Sequence, residues 1–260
     1  MNEVTGLAGF ADFFRGYGDS FAILGGAACA QWLGEANLEF RNTKDVDVVL
    51  VLEAKDRRFF ERLWDYLHRG GYEKWQHSDG KKVAFRFVEP TEQGYPFMIE
   101  LLSRPDIVDV PAGQKIVPVE PGDGLSSLSA VLLDEAYYRL ILENRAETRT
   151  GLPAVIPDAL LLLKAKAHLN LLADKESGRK VRDRDITKHR NDVFHLAYLI
   201  DDSSVVELPE TIAADLNRFL GLYPPTDPRW EGISQSLRDT NYEPTPPADL
   251  IGIISTHFGL

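Results

Sequence analysis

Residues 39–52 read EFRNTKDVDVVLVL. The second half, DVDVVLVL (45–52), is apolar at most positions and opens on two aspartates one residue apart. A run that is apolar on both faces is what a strand in the middle of a covered sheet requires. Side chains two apart on a strand share a face, so Asp45 and Asp47 present two carboxylates together at one strand end. Like charges this close push one another toward protonation unless a cation sits between them. Mg²⁺ takes one or two protein carboxylates together with phosphate oxygens and water. A D-x-D also serves as a turn cap followed by a solvated strand-edge residue, and spacing alone leaves both readings open.

Two neighbouring stretches bear on that choice. FAILGG (21–26) reads as a short strand ending at a glycine pair, and AACAQWLGEA (27–36) as the helix that leaves it. Glycine lets backbone approach a phosphate closely, and a helix N-terminus favours an anion. Downstream, KKVAFRFVE (81–89) and PFMIELLS (96–103) read as a hairpin joined by PTEQGY. Glu100 lies in the second of these strands with apolar pairs on either side. A lone carboxylate there is costly unless paired or bound to a cation. On an edge strand it would simply face solvent. Beside the D-x-D strand it would complete a three-carboxylate cluster.

The 260 residues suit one large domain or two ordinary ones, and 44% hydrophobic with 27% charged residues predicts a packed soluble core. No apolar run approaches the about 18–20 residues of a membrane span. The N-terminus lacks a basic region followed by an apolar one, so no secretory signal is expected. The single cysteine, Cys29, allows no internal disulfide and no cysteine-based zinc site, and fits a cytoplasmic protein. No H-E-x-x-H or related spacing supports histidine-bound zinc. A net charge of −11 argues against broad non-specific DNA binding.

RRFFERLWDYLHRG (57–70) and DEAYYRLILENRAE (134–147) have helical periodicity. Beyond Pro157 the pattern becomes helical throughout: 158–175, 186–200, 209–223 and two shorter segments toward the C-terminus. The expectation is an α+β portion over 1–155 and a helical domain over 156–260. Lys164 sits in the apolar helix LLLLKAKAHL, where it either snorkels or serves a site. Lys188 and Asp192 stand four apart, as a surface ion pair would. GRKVRDRDITKHR (178–190) holds six Lys/Arg in thirteen residues, a local basic patch or a solvated loop. Trp32, Trp64 and Phe194 read as core rather than base-stacking platforms.

GGAACAQWLG, RNTKDVDVVL, FMIELL, LLLLKAKAHL and KHRNDVFHL together resemble the nucleotidyltransferase superfamily, and within it the AbiEii/AbiGii-type, MenT-like toxin nucleotidyltransferases. The resemblance covers roughly residues 20–200. It implies a polymerase beta-like mixed sheet with flanking helices and a C-terminal helical domain that closes the cleft. It implies Mg²⁺ (or Mn²⁺) on Asp45, Asp47 and Glu100, with Lys164 and Asp192 as further catalytic residues. Gly25, Gly26, Arg41, Thr43 and Lys188 are implied to bind the NTP. The activity implied is transfer of an NMP to an acceptor, tRNA being favoured, by the toxin of a toxin–antitoxin or phage-defence pair with its cognate antitoxin. Transfer to a protein or small molecule, and a silent nucleotide- or partner-binding member, are the alternatives. One departure is Ala27, where a hydroxyl residue often follows the glycine pair; its loss leaves triphosphate binding more dependent on backbone N–H groups and basic side chains.

Overall fold

The computed structural model describes residues 4–43, 45–50, 57–72, 74–77, 83–103, 116–118, 134–200 and 205–260. The last two residues of the strand expected over 45–52, and the first two of 81–89, lie outside this set.

The chain is a mixed α+β fold. In order its elements are α1 (Leu7–Phe13), β1 (Phe21–Leu24), α2 (Gly25–Glu35), β2 (Asp45–Leu50), α3 (Arg57–Arg69), β3 (Lys74–His77), β4 (Val83–Val88), β5 (Met98–Ser103) and β6 (Ile116–Pro118). There follow α4 (Glu135–Glu143), β7 (Arg145–Glu147), β8 (Pro153–Val155), α5 (Pro157–Glu176), α6 (Asp183–Leu196), α7 (Glu210–Gly221), α8 (Trp230–Arg238) and α9 (Pro247–His257). The described strands form one sheet in the order β6-β3-β4-β5-β2-β1-β8-β7. β2 runs antiparallel to β1 and parallel to β5, and β4 and β5 form the expected antiparallel hairpin. Apolar composition on both faces is thus explained: β2 is interior, and every residue of β1 is buried.

Residues 134–147 do not form one helix. Helix α4 stops at Glu143, where Asn144 donates its side-chain amide to the Leu140 carbonyl and accepts at its own carbonyl from Ile156 N–H. The chain then pairs Arg145–Glu147 with Pro153–Val155 across a turn at Thr148–Gly151. Three-residue strands carry too little periodicity to be read from sequence. The basic segment 178–190 is likewise only partly loop, because α6 begins at Asp183.

One hydrophobic cluster runs through the molecule, from Phe10 and Ile23 through Leu160 and Phe194 to Ile254. Trp32 and Trp64 pack against it and Phe194 is fully buried, as expected of core residues. Helix α5 is buried along most of its length because it packs on α2, α6 and α7. His168 of α5 is buried with it. Its Nδ1 donates to the Ile186 carbonyl at 2.9 Å and its Nε2 is paired with the Tyr223 hydroxyl at 2.8 Å, contacts that satisfy a neutral ring. Burial holds His168 and His195 down to about 4. In the unfolded chain both take up a proton near pH ~6.5. Between those values the unfolded state binds more protons, so stability falls as the pH drops from about 6.5 to about 4 and levels off below. Each histidine contributes on the order of 3 kcal/mol over that window. Urea midpoints across this range should show the fall, and His168→Gln should make it shallower. A His168→Gln profile as steep as that of the wild type would contradict a buried neutral His168.

Candidate active site

The strand register assembles the acidic residues. Asp47 is the parallel partner of Glu100, and Arg86 of β4 is the antiparallel partner of Glu100 on its other side. Arg86, Glu100 and Asp47 therefore lie in a row across three adjacent strands. All three are nearly buried. Asp45, two residues before Asp47, lines the same cleft of about 490 Å³. Glu100 is an interior-strand acid, and its Oε1 accepts from Arg86 Nε at 2.8 Å and Nη2 at 2.5 Å. Burial and the neighbouring Asp47 raise the Glu100 pKa well above the ordinary value, against the opposing pull of Arg86. Burial and Asp47 also raise that of Asp45. Asp47 lies close enough to both carboxylates to raise their pKa.

Carboxylate oxygens are the donors that Mg²⁺ and Mn²⁺ take, so the chemistry of Asp45 and Asp47 fits such an ion. Glu100 differs in that one oxygen is already engaged by Arg86. Among the described residues, no group of three or more His, Cys, Asp or Glu side chains is arranged to hold a metal ion.

The glycine pair seats two of these side chains. Gly25 has φ +67°, and a Cβ there would lie 1.6 Å from Asp47 Oδ2. A Cβ on Gly26 would lie 2.7 Å from Thr43 Oγ1 and 3.5 Å from Arg41 Nη2. The first turn of α2 thus makes room for Asp47, Thr43 and Arg41, all of which line the cleft with Gly26.

The helices and the β2 approach supply the cations. Asp192 is fully buried in α6 and does not form the surface pair with Lys188 that its spacing suggests. It accepts from Arg41 Nε at 2.8 Å and Nη2 at 2.7 Å, and pairs with Lys164 Nζ at 2.9 Å. The reason is burial: α6 turns this position onto α5 and the β2 approach, where two cations converge. Burial alone would raise the Asp192 pKa, but Arg41 and Lys164 hold it well below the carboxylate range. Burial disfavours the Lys164 ammonium, and Asp192 with Cys29 outweighs this to hold its pKa above the ordinary value. Lys188 faces the same cleft. Its pKa is lowered by burial and by the nearby Arg41 and Lys164. Arg182 and Arg184 complete a lining richer in cations than in carboxylates, despite a net charge of −11 for the chain.

Every candidate residue except Gly25 and Asp192 lines this cleft, and those two pack directly behind residues that do. Arg86 and His189 also line it and were not singled out as site residues by sequence. The signal for Arg86 was an arginine between phenylalanines in VAFRFV, opposite another lone charge in the hairpin. His189 is buried with its Nδ1 unpartnered, and burial followed by Lys164 places its pKa well below the ordinary value.

No protein-family model matches the chain, and no curated protein matches it. Its structure is similar to that of an antigenic nucleotidyltransferase-like protein from Paracoccidioides brasiliensis, with 17% identity, 90% of each chain covered and a TM-score of 0.38. No helix among the described residues is long and apolar enough to cross a membrane.

Proposed function

We propose that this chain is a metal-dependent nucleotidyltransferase that moves an NMP from an NTP to tRNA, as the toxin of a toxin–antitoxin or phage-defence pair. The observation that carries the chemistry is the register pairing Asp47 with Glu100 inside a cleft lined by more cations than carboxylates. The acceptor and the toxin role rest on the sequence motifs, and the cationic lining supports a polyanionic acceptor.

In this reading Asp45 and Asp47 hold Mg²⁺, which supplies charge neutralisation at the phosphate being transferred. The acceptor hydroxyl oxygen bonds to the α-phosphorus as the α–β phosphoanhydride bond breaks and pyrophosphate leaves. Glu100, beside Asp47 on the neighbouring strand and lining the cleft, takes the hydroxyl proton. Lys188, Lys164 and Arg41 neutralise the departing pyrophosphate, and Thr43 and the Gly25–Gly26 turn set the phosphate approach. Asp192 positions Lys164 and Arg41 rather than touching substrate. The helical domain, 156–260, brings Lys164 and Lys188 to the cleft.

The test is incubation of the purified protein with Mg²⁺, total tRNA and each of the four α-labelled NTPs. Label should pass to tRNA, and Asp47→Ala should reduce the rate by at least about 10²–10³-fold. Label on protein instead would replace tRNA as acceptor. Absence of transfer together with absence of NTP and Mg²⁺ binding by calorimetry would overturn the enzyme reading.

A further inference from the structure

We propose that Arg86 is a built-in cation that replaces a second metal, so that the site binds one divalent ion rather than two. The inference rests on the reading of Asp45 and Asp47 as cation ligands. It begins from a simple charge sum. Asp45, Asp47 and Glu100 together carry three negative charges when ionised, and Arg86 returns one. These four sheet side chains then carry a net −2, the charge that one divalent ion offsets, within a cleft whose remaining lining is mostly cationic.

The geometry supports that sum. Arg86 is a cross-strand neighbour of Glu100 on the side opposite Asp47. Two of its N–H groups converge on the single oxygen Oε1 of Glu100. The pair is nearly buried on both sides, with side chains 9% and 7% exposed. An ion pair enclosed in this way is difficult to open, because breaking it leaves an uncompensated buried charge. A paired-ion site needs carboxylates that bridge metals about 3.5–4 Å apart. With Glu100 Oε1 committed to Arg86, Asp45 and Asp47 are the acids of the cleft's sheet wall for which no arginine contact is seen among the described residues, and these hold no three-acid arrangement able to take a metal. Two carboxylates suffice for one Mg²⁺ whose remaining positions are filled by phosphate and water.

The experiment counts ions. Mn²⁺ is titrated into the full chain and followed by electron paramagnetic resonance, first alone and then with one equivalent of a non-hydrolysable NTP analogue. The expected result is one Mn²⁺ per chain with an uncoupled spectrum in both conditions. Arg86→Gln, checked for folding by circular dichroism, should rise to two with exchange coupling between them, and Arg86→Lys should stay at one. Two coupled ions in the wild type, or none, would overturn the proposal. So would a folded Arg86→Gln that still binds one. Should Arg86→Gln fail to fold, the wild-type count decides alone. The count does not depend on turnover. One bound Mn²⁺ without label transfer to tRNA would sink tRNA as the acceptor and spare this inference, while transfer with two coupled ions would do the reverse.

Discussion

Asp192→Ala is expected to lower stability by about 3 kcal/mol, because it leaves two cations facing each other without their shared carboxylate. Asp192 is fully buried, Lys164 is 2% exposed and Arg41 28% exposed, so the lost pairing is only partly screened by solvent. For a chain of this size that loss corresponds to a fall in melting temperature of roughly 6–12 °C. The surface pair suggested by the Lys188–Asp192 spacing would instead be worth about 0.3–0.5 kcal/mol, a shift of a degree or so. The two accounts therefore separate cleanly in a thermal melt. Nucleotide binding should weaken with stability, since Arg41 and Lys164 lose the group that orients them. A variant that melts within a degree of wild type would show that the buried triad is not what holds α5, α6 and the β2 approach together.

Gly25→Ala is expected to cost both stability and activity. Two separate costs meet there. A non-glycine residue at φ +67° is strained by about 1–2 kcal/mol. The added methyl would also occupy the place of Asp47 Oδ2, 1.6 Å away, so the carboxylate must move. A displacement of ~1 Å at a reacting group can cost about 10²-fold in rate. Gly94 separates the two effects, since it has φ +83° and nothing within 4 Å of where its Cβ would be. Gly94→Ala should lose stability of the strain kind alone and keep its activity. If both variants lost the same stability and the same activity, the contact between Asp47 and α2 would have no functional weight.

Much of the site was legible because it is local. The D-x-D at 45–47, the glycine pair before α2 and the lone acid at 100 each stand within one element. Their residue types limit what they can do whatever surrounds them. The hairpin over β4 and β5 was legible for the same reason, as were α3 and the helices after Pro157. The small pieces were not. β7 and β8 are three residues each, and their pairing depends on where α4 is stopped by Asn144.

The sequence by itself determined the fold class, the interior character of β2 and most of the residues that line the candidate cleft. These follow from periodicity and from the cost of burying a charge, which act along the chain. Only the tertiary structure decided which charges meet. Asp192 stands four residues from Lys188 yet pairs with Arg41, 151 positions away, because the helix face that carries it is turned into the core. Glu100 sits between Asp47 and Arg86 because strand register, set by whole-sheet packing, places all three side by side. Partnership between charges falls off within a few ångströms in space and takes no account of separation in sequence, so it had to wait for the fold.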